Sequence, residues 1–155
     1  MKVIFLDIHG VLCSMRSAAA YGGYPAAGNP ASWDRFDDTA IALLRAAIAH
    51  TGARVVLSST WRDEANLAAL EYRFGVKIYD VTRASTGDTD TRGARVLDWL
   101  AAHPDADRYA ILDDDDDFYQ NQMDKLCLTS KRNGFLLGHF DEMIELLGPA
   151  LTIIV

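Results

Sequence analysis

Short apolar runs that break off at an acid or a hydroxyl, separated by stretches with helical spacing, constrain this chain more than any other feature. Val3-Ile4-Phe5-Leu6 ends at Asp7, Arg54-Val55-Val56-Leu57 at Ser58, and Tyr109-Ala110-Ile111-Leu112 at Asp113; Val76-Lys77-Ile78-Tyr79-Asp80 and Lys125-Leu126-Cys127-Leu128-Thr129 are two further runs. Between them lie periodic segments. One runs from Asp37 or Asp38 to about His50, with Ile41, Leu44 and Ile48 spaced for one buried face. A second starts at Asp63, packs through Leu67, Leu70 and Tyr72–Phe74, and stops at Gly75. A third covers about Thr91–Ala102, with Val96, Leu97, Trp99 and Leu100 apolar and His103-Pro104 closing it; Asp141–Leu147 is the last. Strands alternating with helices at these lengths predict an α/β three-layer sandwich around a central, mainly parallel five-stranded sheet. Right-handed crossovers open every strand's carboxyl end on one edge. Asp7, Ser58 and Asp113 then converge, although about fifty residues separate each from the next.

At 155 residues the chain suits one domain, 1–155, interrupted by a loop insertion at about 14–38 that is rich in Ala, Gly and Pro. Long loops in compact domains are commonly functional, and Arg16, Tyr21, Tyr24, Trp33 and Arg35 are its candidates for touching a ligand. The formal net charge of −7 argues against a non-specific nucleic-acid binder held by a basic face. It leaves room for a site that grips one phosphate end, because a bound cation inverts the local field. Cys13 and Cys127 make neither a zinc spacing nor a disulfide framework, so a reduced, cytoplasmic setting is expected. Lys2 leads directly into a strand-length run rather than a signal peptide, and no apolar run approaches the roughly 20 residues of a membrane span. Leu151–Val155 reads as a last strand or a packing tail.

A carboxylate at one strand end, a hydroxyl at another and the run Asp113–Asp117 at a third make an oxygen-rich site. Such a ligand set suits Mg²⁺, which binds through one or two carboxylates plus a phosphate. Asp7 is then placed to attack phosphorus. Ser58, Ser59 and the amides after them would hold phosphoryl oxygens at a strand-to-helix turn, and Arg92 or Arg95 supplies a fixed cation. The alternative for the aspartate run is a solvated acidic turn. Against it, the run abuts four apolar residues and ends in Phe118-Tyr119. The alternative for Ser58-Ser59-Thr60 is helix capping, and both roles can hold together. His50, His103 and His139 sit where capping or surface roles suffice.

Four short motifs in order resemble the haloacid dehalogenase (HAD) superfamily of phosphotransferases, whose fold is Rossmann-like. Phe5-Leu6-Asp7-Ile8-His9-Gly10-Val11-Leu12 is similar to its first motif, Leu57-Ser58-Ser59-Thr60-Trp61-Arg62 to its second, Arg92-Gly93 with Trp99-Leu100 to its third, and Ile111-Leu112-Asp113-Asp114 to its fourth. The resemblance implies a Mg²⁺-dependent phosphomonoesterase with an aspartyl-phosphate intermediate on Asp7 and phosphate held by Ser58, Ser59 and Arg92. It also implies metal held by Asp7, the backbone carbonyl of His9, Asp113 and Asp114, with Asp117 competing with Asp114. One departure stands out: His9 occupies the place of the family's second aspartate, the acid/base. Three accounts follow: a working histidine, a weakened or silent member that still binds phosphate and metal, or a substitution made to trap a complex. The short gaps between motifs imply a capless or minimally capped member. Such members stay open to large substrates or are closed by a partner subunit in a homo-oligomer. The implied substrate is a phosphorylated small molecule, a nucleotide, or a nucleic-acid phosphate end, with Arg16, Tyr21, Trp33 and Arg62 suited to base stacking and a second anionic group.

Overall fold

The structure is a computed structural model, and residues 1–151 of it are described here; apart from the exposed Leu151, the segment expected to form a last strand or packing tail lies outside them. Among the described residues five strands form one sheet: β1 (Lys2–Leu6), β2 (Arg54–Leu57), β3 (Ile78–Val81), β4 (Arg108–Asp113) and β5 (Leu126–Leu128), in the order β3-β2-β1-β4-β5 with every pair parallel. The expected α/β architecture is therefore the observed one, Rossmann-like and wholly parallel. Leu6 stands beside Leu57 and Leu112, which levels the carboxyl ends of the three central strands.

Strand alternation sorts the core into two faces. Ile4, Leu6, Val55, Leu57, Ala110 and Leu112 pack with α2 (Asp38–Thr51), α3 (Leu67–Phe74) and α5 (Leu137–Leu147); Val3, Phe5, Val56 and Ile111 pack with Val96 and Trp99 of α4 (Arg92–Ala102). The next residue after Leu6, Leu57 and Leu112 turns to the α4 side. That residue is Asp7, Ser58 or Asp113. Burying strands on both faces explains why their sequences read as continuous apolar runs.

Several expected boundaries move. The helix expected from Asp63 begins at Leu67, because Asn66 caps it and residues Thr60–Asp63 form a 3-10 turn capped by Ser59. The closing helix starts at Leu137 rather than Asp141. The insertion at 14–38 is not merely a loop: it holds α1 (Met15–Tyr21), opened by a Ser14–Ser17 capping box, and a 3-10 turn over Pro30–Arg35. Asp37 caps α2 through the amides of Thr39 and Ala40, as anticipated. No described helix is long and apolar enough to cross a membrane.

Candidate active site

Asp7 follows β1 directly, its amide donating to the Leu112 carbonyl (3.0 Å), and its side chain is buried. Asp113 ends β4 and has no exposed surface. Between them lies the Arg92 guanidinium, the first residue of α4: its Nη1 donates to Asp113 Oδ2 at 2.9 Å and stands 3.4 Å from Asp7 Oδ2. One nitrogen thus serves two carboxylates. Asp114 closes the group; Asp7, Asp113 and Asp114 each offer an oxygen, all within 4.8 Å of one another.

Asp114 reaches that position over Gly10, whose φ of +77° favours glycine and whose absent Cβ would lie 2.2 Å from Asp114 Oδ2. Gly10 therefore frees the strand tip and leaves room for a second acid. Asp117, the other candidate for that role, turns elsewhere: its carboxylate accepts from the Arg92 amide (3.4 Å) and its carbonyl from the Gly93 amide (3.0 Å).

Sequence reasoning missed the clamp that sets Arg92. Gln122, buried, donates through Nε2 to the Gly93 carbonyl (3.0 Å) and accepts the Tyr119 amide on Oε1 (2.9 Å). A Cβ on Gly93 would stand 2.7 Å from Gln122 Oε1 and 3.0 Å from the Phe118 backbone. Glycine is needed here for close approach, not for backbone freedom. Gly93→Ala, which in an open helix stabilises by up to about 1 kcal/mol, is expected instead to destabilise by about 1–3 kcal/mol through overpacking. A denaturation midpoint unchanged or raised in the variant would refute this.

The hydroxyls behave differently from one another. Among the described residues neither the buried Ser58 Oγ has a partner nor does Thr82 Oγ1, the next residue after β3 and the continuation of the Leu57–Val81 register. Buried polar groups ordinarily find partners, so these two hydroxyls at neighbouring strand ends stand out as exceptions. Nothing in the local sequence marked Thr82. Ser59 is spent otherwise, its Oγ accepting from the Trp61 amide (3.2 Å).

Two of the expected substrate residues are engaged with the body of the fold. Trp33 is buried, donates its indole N–H to the Ala26 carbonyl (2.8 Å) and packs on Phe36 and Trp61. The expectation that it stacks on a ligand is corrected, because folding the insertion onto the body buries more apolar surface than leaving it at the mouth. Arg62 is also committed, its Nη1 donating to the Ser59 carbonyl (2.7 Å) beneath the second-motif turn. Arg16 and Tyr21 are exposed, Arg16 lying 3.6 Å from Asp37. His9 is exposed, its ring 5.8 Å from that of Tyr24 and 5.9 Å from that of Trp61, with Nδ1 3.6 Å from Cys13 Sγ. Burial pushes the Cys13 thiol up to about 12, so it stands there neutral.

The electrostatics follow from burial. Desolvation, then the facing Asp7 carboxylate, push Asp113 up to about 8, against the pull of Arg92; desolvation raises Asp7 as well, again opposed by Arg92. Arg92 alone does not neutralise the cluster. Raised native values mean that the folded chain holds more protons than the unfolded one between the ordinary value of 3.8 and about 8. This contribution to stability is thus fully present below that window and is lost as pH rises through it. Denaturation midpoints in chelator are expected to fall from pH 5 to 8 in the native sequence and to flatten in Asp113→Asn; a native midpoint that rises would overturn the assignment.

This constellation, an aspartate at the tip of β1, a free hydroxyl at β2, a cation opening α4 and an acid pair at β4, is that of a HAD-type domain, in general terms a phosphatase. The chain belongs to the family described as the HAD domain in Swiss Army Knife RNA repair proteins, which matches residues 3–139. No curated protein and no solved structure matches it.

Proposed function

We propose that the chain is a Mg²⁺-dependent phosphomonoester hydrolase acting through Asp7 on a nucleic-acid phosphate end. The observation that carries this reading is the meeting of Asp7, Asp113 and Asp114 within 4.8 Å under the shared Arg92 nitrogen. The family's association with RNA repair supports the substrate class. The donor set fits Mg²⁺: oxygen ligands, excess negative charge and raised carboxylates. Asp7, Asp113, Asp114 and the His9 carbonyl would hold it, and when bound it offsets the repulsion between nucleophile and phosphoryl oxygens.

Ser58 Oγ and Arg92 bind and orient the phosphoryl group. An Asp7 oxygen attacks phosphorus as the ester P–O bond breaks, and the leaving oxygen takes a proton from His9 in its protonated form. The neutral imidazole then accepts a proton from water, whose oxygen displaces the Asp7 carboxylate and releases inorganic phosphate. Exposure of His9 suits a group that must meet both leaving group and water.

The same residue favours a second reading, a phosphate- and metal-binding domain with little turnover. His9→Ala and His9→Asp, assayed with Mg²⁺ on p-nitrophenyl phosphate and phosphorylated oligonucleotides, separate the two. A working His9 predicts a loss of about 10²–10⁴-fold in kcat for His9→Ala. No turnover by the native sequence with ready turnover by His9→Asp would leave the binding reading.

A further inference from the structure

Beside the first-motif loop, on the β5 side, the fold gathers cations in an otherwise acidic protein. The segment after β5 is pinned there by four hydrogen bonds. Thr129 Oγ1 donates to the Gly10 carbonyl (2.6 Å), and the Phe135 amide donates to the Val11 carbonyl (3.0 Å). The amides of Met15 and Arg16 donate to the carbonyls of Lys131 (2.9 Å) and Arg132 (3.0 Å). Between them lies a cavity of about 290 Å³ lined by Met15, Arg16, Ala19, Arg132 and Asn133. Lys131 and Arg132 are exposed and make no ion pair among the described residues, and Arg16 has Asp37 as its neighbour at 3.6 Å.

The position of this cleft relative to the site follows from the chain itself. Gly10 is the residue over which Asp114 lies, and Thr129 bonds its carbonyl. Three residues span at most about 10 Å of extended chain, so the Arg132 backbone stays within that distance of Thr129. Successive phosphates of a single strand are separated by comparable steps. Two guanidiniums and a carboxamide facing one cleft match phosphodiester oxygens, which arginine takes in bidentate fashion. The half-exposed Met15 adds apolar surface for a sugar or base.

We infer that the Arg16–Arg132–Asn133 cleft, with Lys131 at its rim, is a binding track for the phosphodiester backbone of a single-stranded polynucleotide whose terminal phosphate lies at Asp7. This rests on the proposed phosphatase reading. It adds that the substrate is a polymer rather than a mononucleotide, and that the strand leaves the site past β5. Sequence composition hid the track, because Arg16 stands more than a hundred positions from Lys131 and Arg132 and all three are diluted by the overall net charge of −7.

The test has two arms. In the first, the native sequence and the double variant Lys131→Glu/Arg132→Glu hydrolyse a nucleoside monophosphate and an eight-residue RNA carrying a terminal phosphate, with Mg²⁺. The track predicts a higher kcat/KM for the RNA in the native protein. It also predicts a loss of at least about tenfold on RNA in the variant, carried by KM, with the monophosphate rate within about twofold. Equal losses on both substrates, or no native preference for RNA, would overturn it. In the second arm, fluorescence anisotropy follows the same RNA binding to Asp7→Asn across a salt series, with and without the two charge reversals. Losing two phosphate contacts is expected to flatten the slope of log K against log salt by about 1.4. An unchanged slope would refute the track even if hydrolysis is confirmed. If the native protein hydrolyses neither substrate, the phosphatase reading fails, and the anisotropy arm decides the track by itself.

Discussion

Asp7→Asn is expected to abolish phosphate release while making the metal-free protein harder to unfold. The first effect follows from chemistry: the amide oxygen is a poor nucleophile, and no other described carboxylate stands at the tip of β1. Removing the covalent nucleophile of a serine protease costs about 10⁶-fold in kcat, and a loss of at least about 10⁴-fold is expected here. The second follows from burial. The Asp7 and Asp113 carboxylates share a desolvated site with a single cation, and each is raised above its ordinary range. The substitution removes one of the two charges yet leaves Arg92 its shorter contact, 2.9 Å to Asp113. Catalytic groups held against their electrostatic preference commonly show this trade of stability for activity. Steady-state assays and thermal unfolding in chelator check both halves. Full activity in Asp7→Asn would end the mechanism, and a lower melting temperature would show that the two acids are not in conflict.

Arg92→Met is expected to lower kcat by about 10²–10³-fold, the usual cost of removing one preorganised charge-stabilising donor. It should also destabilise the metal-free fold. Removing one partner of a buried charge cluster costs about 3–5 kcal/mol; because the Arg92 side chain is 34% exposed, solvent screening reduces the expectation to about 1–3 kcal/mol. Mg²⁺ is expected to restore much of that stability, since a divalent cation replaces the missing charge, but not the activity. Arg92→Lys sharpens the test. A single Nη1 reaches both Asp7 and Asp113, so the geometry asks for a point charge rather than a guanidinium fork. Arg92→Lys should retain activity within about tenfold. A lysine variant as damaged as the methionine one would show that the second guanidinium nitrogen takes part in binding substrate.

Much of this site was legible because its parts lie at strand ends. Asp7, Ser58 and Asp113 each follow an apolar run, and parallel topology requires such ends to share an edge. The choice between Asp114 and Asp117 was not legible. Both spacings are chemically adequate, and the outcome depends on Gly10 leaving space for one carboxylate while the first turn of α4 takes the other. Ser59 and Ser58 look equivalent in sequence as well. One hydroxyl caps a 3-10 turn and the other is left without a partner, a difference set by the backbone turn after β2.

The aromatic residues of the insertion show the limit most clearly. Trp33 and Tyr24 stand nine positions apart in one insertion rich in Ala, Gly and Pro, and either could have faced a ligand. Trp33 went into the core beside Phe36 and Trp61, while Tyr24 stayed exposed near His9. The sequence by itself determined the α/β alternation, the shared edge of the strand tips and the acids carried on them, because hydrophobic period and crossover handedness are local rules. Only the tertiary structure decided which hydroxyl stayed unpaired, which acid joined Asp7 and Asp113, that Gln122 and Gly93 set the approach of Arg92, and that Arg16 and Arg132 share a cleft. Those outcomes depend on contacts between segments far apart in the chain, where packing space and burial, rather than local preference, select among residues of equal chemistry.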